Sequence, residues 1–215
     1  MSLSVVDILP PVLRKEYQRL VQILQCDLVQ NLLVYEETQG SGMEEILTSL
    51  QYEINEYDCR QIFSDTSGAT AAKLNQIFET STCPQGGLIL LRNVHVLAKN
   101  RDGQIDHRVL LCLEDILKTK HPFKVIGIVT AKKSAIDHRL VHLFDQHMEV
   151  STQMEAKERR EILHWLLQKQ PQFCADPKDL GQLAEQTAGL LYQDLVAVIQ
   201  QSTMLALEKY PAFDR

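Results

Sequence analysis

Eight residues, Glu37-Thr38-Gln39-Gly40-Ser41-Gly42-Met43-Glu44, follow a short β-type run, Asn31-Leu32-Leu33-Val34-Tyr35, and lead into a helical pattern from Met43 to about Ile54. Strand, glycine loop and helix in that order form the frame of a phosphate-binding loop, where backbone N–H groups and the positive helix end receive an anion. Against the pattern GxxxxGK[ST], Glu37 takes the place of the first glycine and Met43 that of the lysine. Glu44 replaces the hydroxyl residue that would hold magnesium. Only Gly42 and the auxiliary Gly40 remain.

The sign of that change decides its effect. A carboxylate about 4 Å from a phosphate oxygen is repelled by on the order of 4 kcal/mol at an intermediate dielectric. A helix N-terminus attracts an anion by only ~0.3–1 kcal/mol, so repulsion outweighs what attraction is left. Glu44 and Glu45 are therefore expected to stand where phosphates would have been. Two later positions change in the same direction. After the apolar run Leu88-Ile-Leu-Leu91, where a hydrolysing enzyme places Asp for magnesium and Glu to polarise water, the chain has Arg92 and Asn93. Arg92 cannot act as a base at any relevant pH. At the end of the next strand a polar residue that would sense a γ-phosphate is replaced by Ala131.

The elements that must position these residues alternate. Pro10-Pro11 opens a helical pattern over Val12 to Val29, with proline in the first turn, where its missing N–H is harmless. A weaker strand is expected around Arg60 to Phe63, a helix carrying Leu74, Ile77 and Phe78, then the doubly covered strand Leu88 to Leu91. A helix over Val109 to Leu117 and a strand from Lys124 to Thr130 follow. Strands separated by helices imply βαβ units and a parallel sheet. After Val150 the texture changes to three helical stretches, Glu155 to Gln168, Asp179 to Thr187 and Gln193 to Lys209. The expected organisation is a linker helix over 1–30, an α/β core over 31–150 and a small all-helical domain over 151–215.

The 215 residues, 45% of them hydrophobic, suffice for a core, and a net charge of −6 argues against a nucleic-acid footprint. Five scattered cysteines, Cys26, Cys59, Cys83, Cys112 and Cys174, form no CxxC pair and fit a reduced setting. No apolar run approaches the ~20 residues of a membrane span. Asp7 and Pro10-Pro11 break what would be a signal peptide.

These features together resemble the AAA+ ATPases. The likeness rests on the strand and glycine loop above, on Ser67-Gly-Ala-Thr-Ala-Ala-Lys-Leu-Asn-Gln-Ile-Phe78 and on Gly87-Leu-Ile-Leu-Leu-Arg-Asn-Val-His-Val-Leu97. It continues through Val125-Ile-Gly-Ile-Val-Thr-Ala131, Leu143-Phe-Asp145, Met148-Glu-Val150, Glu158-Arg-Arg-Glu-Ile-Leu163 and Thr187-Ala-Gly-Leu-Leu-Tyr-Gln-Asp-Leu195. The stretch Gly68 to Phe78, with Asn100-Arg-Asp-Gly103 downstream, is most similar to the degenerate first ATPase domain of the peroxisomal peroxin-6 ATPases, with the peroxin-1 ATPases the nearest rival.

The resemblance implies a P-loop NTPase-like parallel sheet flanked by helices, with a C-terminal helical lid. It implies one tier of a mixed hexamer with a peroxin-1-type AAA+ subunit, a peroxisomal membrane tether as a further partner, and a role in recycling the matrix-protein import receptor. The location implied is the cytosolic face of the peroxisomal membrane, without insertion. Hydrolysis in such proteins proceeds through another domain of a longer chain. With Gly40, Gly42, Met43, Glu44, Arg92, Asn93 and Ala131 as vestigial positions, no catalytic residue, cofactor or metal is expected here. Leu143 occupies the place of an arginine finger, and Thr66-Ser67 that of the aromatic pore loop, with Phe63 too far upstream to substitute.

Two other readings stay open. One is a nucleotide-binding or active ATPase using unorthodox residues, with Arg92 as the substitute cation. The other is an adaptor-docking domain, for which an apolar patch on the Gln193 to Lys209 helix is the discriminating feature. Plainer readings stand beside the remaining features. QGSG alone is a common turn. His138 and His142 share a helical face without a third ligand, and Glu161 with His164 is a solvated pair. The run Glu155 to Glu161 reads as a wet face with Ile162, Leu163 and Trp165 inward. Cys26 and Cys112 read as small hydrophobes.

Overall fold

Leu13, Leu20 and Leu24 recur at helical spacing and are buried along α1 (Pro11–Gln25). The computed structural model describes residues 8–81, 86–151, 153–170 and 176–209, so Cys83 and Cys174 lie outside it. Strand β1 (Asn31–Tyr35) is buried at every position and leads through the glycine loop to α2 (Met43–Thr48). Then come β2 (Ile54–Asp58), α3 (Cys59–Ile62), α4 (Ser67–Thr80), β3 (Leu88–Arg92), α5 (His107–Lys118), β4 (Lys124–Val129), α6 (His138–Val141) and β5 (Gln146–Glu149). The chain continues with α7 (Ala156–Gln168), α8 (Pro177–Gln186) and α9 (Tyr192–Lys209).

The five strands pair in the order β2-β3-β4-β1-β5, and every pairing is parallel. The expected α/β class, a parallel sheet flanked by helices with a helical C-terminal region, is what the chain adopts. The central strands are continuous apolar runs because both faces are covered. Gly127 of β4 allows a close approach: a Cβ there would stand 2.7 Å from Phe144 Cζ and 3.2 Å from Leu33 Cδ1.

Three expectations fail. The helix from Met43 stops at Thr48, and Ile54 instead opens β2. Arg60 to Phe63 is not a strand. Asp58 accepts the Arg60 amide at 3.0 Å and caps the short helix α3, which begins directly after the true strand. Cys26 does not pack as a hydrophobe: it follows the last residue of α1 and is exposed.

The chain gathers into two compact units. One contains the sheet, over Leu20–Gln39 and Gln51–Val150. Leu33, Leu74, Ile89, Leu91, Leu113 and Phe144 share its core. The other contains the start of the chain up to Arg19, Gly40–Leu50 and the chain from Ser151 onward. In it α8 and α9 both pack on α7. The supposed wet face of α7 is only partly wet, because Arg159 is 6% exposed and saturates backbone carbonyls. Its Nε donates to Ala184 O at 2.9 Å and its Nη1 to Met154 O. Trp165 is half-buried, with the Lys169 ammonium 3.6 Å above its ring centroid.

Candidate functional site

In open parallel sheets ligands bind beyond the carboxyl ends of the strands, where successive connections diverge. Here β1 connects outward to β2 at one edge, while β4 connects across β1 to β5 at the other edge. In the sheet unit Arg92 is the last residue of β3, Asn93 follows it, and Ala131 lies just beyond β4.

The glycine loop turns on Gly40 and Gly42, with φ of 97° and 99°, in the left-handed region that favours glycine. Gly42 caps α2 without a side-chain bond, and α2 has only six residues. Met43, expected from sequence at the lysine position, is 1% exposed. The acidic pair divides. Glu44 is exposed, whereas Glu45 turns inward and accepts from Gln193 Nε2 at 2.6 Å. Burial, and then the Glu44 charge, raise the Glu45 carboxyl above its ordinary range, against lowering hydrogen bonds from its own backbone and Gln193.

What lies over Gly42 is apolar: a Cβ there would stand 2.6 Å and 2.9 Å from the two methyl carbons of Leu13. Gly40 O accepts the Gln193 amide at 3.1 Å. The backbone at Gly42 is thus packed against the Leu13 side chain, while Glu44 faces solvent and Glu45 faces Gln193. Leu13 and Gln193 carry no local sequence signal for this role.

Within the sheet unit, Arg92 is engaged. Its guanidinium grips Glu56 on the neighbouring strand, through Nε to Oε1 and Nη2 to Oε2, the latter at 3.3 Å. Asn93 adopts a left-handed conformation, φ 56°, and is buried. Its Nδ2 donates to Asp58 Oδ1 at 2.9 Å, and its Oδ1 accepts from Thr130 Oγ1 at 2.6 Å. Burial pushes the Asp58 carboxyl up, but the Arg60 amide, the Asn93 amide and the charges of Arg60 and Arg92 outweigh it and leave it lowered. Ala131 packs against the sheet core.

Thr66 Oγ1 accepts the Ala69 amide at 3.2 Å, and Ser67 Oγ donates to Asp106 Oδ2 at 2.6 Å, so these two residues, expected from sequence at the pore loop, cap α4 and tie it to the start of α5. Asp145 Oδ2 accepts the amides of Gln30 and Asn31, both at 2.9 Å, and so fixes the entry of β1. His138 and His142 stand edge to face at 6.2 Å between centroids. Among the described residues no cluster of three metal-ligating side chains forms. No helix among them is long and apolar enough to cross a membrane.

Residues 41–152, more than half the chain, match AAA, the ATPase family associated with various cellular activities. Protein SAV of Sulfolobus acidocaldarius is 28% identical over 206 residues, covering 90% of this chain and 26% of that protein. The cell division cycle protein 48 homolog of Archaeoglobus fulgidus is 31% identical over 157 residues, 69% of this chain and 21% of its own. The peroxisomal ATPase PEX6 of Homo sapiens is 27% identical over 154 residues, 69% of this chain and 15% of its own. The chain therefore spans roughly a quarter or less of the length of these curated relatives. On the sheet order, the glycine loop and this match, the chain belongs to the AAA ATPase family.

Proposed function

We propose that this chain is a non-catalytic AAA module of a peroxisome-biogenesis ATPase. In this reading it supplies ring contacts to a hexamer with a related AAA+ subunit of the peroxin-1 type. That assembly works at the cytosolic face of the peroxisomal membrane, where it recycles the matrix-protein import receptor. The similarity to PEX6 supports the peroxisomal part. The non-catalytic part is carried by one observation: the glycine loop has a buried Met43 where the phosphate-binding cation belongs, and Leu13 fills the space over Gly42.

The reading in which Arg92 replaces the missing lysine is disfavoured, because its guanidinium is already committed to Glu56. A second reading, adaptor docking through the last helix, is favoured by Met204 and Leu205, each 65% exposed on α9.

The test is the thermal midpoint of the purified chain with and without millimolar magnesium-ATP. Ligand at 100 times its dissociation constant adds about 2.7 kcal/mol of stability, which is several degrees. The expected result is no shift. A clear rise would overturn the non-catalytic reading, and failure to sediment with a peroxin-1-type subunit would overturn the ring assignment.

A further inference from the structure

Two segments distant in sequence converge on the glycine loop, the first turn of α1 and the first turn of α9, all within one compact unit. Gln193 touches the loop twice. Its backbone N–H donates to Gly40 O at 3.1 Å, and its side-chain amide donates to Glu45 Oε1 at 2.6 Å, so one residue bridges the turn and the short helix that follows. The start of α9 is itself fixed, since Leu191 N donates to Asp194 Oδ2 at 2.8 Å. Tyr192 beside it is buried, and burial together with the Glu45 charge pushes its phenol up. Leu13, also buried, sets three carbon atoms within 3.3 Å of where a Gly42 Cβ would stand.

We infer that the chain carries its own pseudo-ligand: Leu13 fills the glycine loop and Gln193 ties it to α9, so that the loop and the last helix are held together by protein groups. This rests on the non-catalytic reading above and gives it a mechanism. In a loop that serves an anion, closure follows the ligand. Here an apolar side chain and an amide bridge close it permanently. The bridge is strong for its size because one partner is a carboxylate. It is also independent of the missing lysine and magnesium ligand.

Hydrogen–deuterium exchange on the whole chain tests it, read on peptides covering residues 40–46 and 191–196. In the unmodified protein the loop amides exchange slowly, and magnesium-ATP leaves their rate unchanged. Gln193→Ala and Glu45→Ala each speed exchange in 40–46 by about tenfold, the effect of losing one charge-assisted hydrogen bond. The double variant is no faster than either single, because both remove the same bond. Leu13→Ala speeds it further. Should that core change unfold the protein, the exposed Gln193 variant still decides. Loop amides that exchange as fast as an open peptide in the unmodified chain, without nucleotide binding, overturn the pseudo-ligand alone. Protection that appears only with magnesium-ATP overturns both it and the non-catalytic reading.

Discussion

Asn93 donates to Asp58 Oδ1 over 2.9 Å, joining the end of β3 to the end of β2, and the Thr130 hydroxyl on the same side-chain amide extends the link to the end of β4. Three adjacent strands are thus tied at the edge where the fold places chemistry. The Asn93 side chain, expected from sequence at the water-polarising position, is a buried amide satisfied on both sides.

Replacing that amide by a carboxylate should be costly in a pH-dependent way. In Asn93→Asp, two carboxylates would share one hydrogen-bond distance, and one of them must hold a proton longer than in the unfolded chain. The folded state then binds more protons than the unfolded state above about pH 4, so the variant's stability falls relative to the parent as pH rises. Urea unfolding should show a deficit of roughly 2 kcal/mol at neutral pH, narrowing at pH 4.5. Equal deficits at both values would refute the shared bond.

Glu45 gives the opposite experiment. Its carboxyl is raised, chiefly by burial, so its ionisation costs stability from the unfolded carboxylate range upward through its own folded value. Glu45→Gln keeps an acceptor for Gln193 and does not titrate. It should melt higher than the parent at pH 8, and the gap should close below about pH 4. A variant that melts lower at pH 8 contradicts the burial assigned to this group.

On the non-catalytic reading proposed above, a lysine at position 43 does not create a nucleotide site. Met43 is buried, and Met43→Lys takes an ammonium out of water. Chemical unfolding should register a loss of about 3 kcal/mol. Equilibrium dialysis should find no magnesium-ATP bound, since Leu13 still covers Gly42.

Two glycines serve as opposite controls on packing. Gly127→Ala would drive a Cβ to 2.7 Å from Phe144 and should destabilise by about 1–3 kcal/mol. Gly181, inside α8 with nothing within 4 Å, should gain up to about 1 kcal/mol on replacement by alanine. A thermal midpoint that rises for Gly127→Ala would contradict the packing described at β4, and one that falls for Gly181→Ala would contradict the open space beside α8.

Particular residues explain which parts of this could be read from sequence. Leu88 to Leu91 and Val125 to Val129 are legible because both faces of those strands are covered, so the run is unbroken. The edge strands are not. Ile54–Asp58 mixes polar and apolar residues at half-exposed positions, and Gln146–Glu149 buries only Met148. Spacing could suggest which positions to inspect, but not their present partners. Asp58, Asn93 and Thr130 meet only because β2, β3 and β4 are neighbours, an order that no local pattern states. Leu13 looks like any buried helical leucine and Gln193 like any surface glutamine. Arg159 was hidden in a mixed-charge run, because charge pattern does not reveal which cation finds carbonyls to saturate.

The placement of Trp165 has a practical consequence. It is the single tryptophan of the chain, and it lies in α7, among the C-terminal helices. Emission excited at the red edge of its absorption therefore watches that unit alone, whereas far-ultraviolet dichroism sums over sheet and helices together. Coincident melting curves would mark one cooperative transition, and separated curves two.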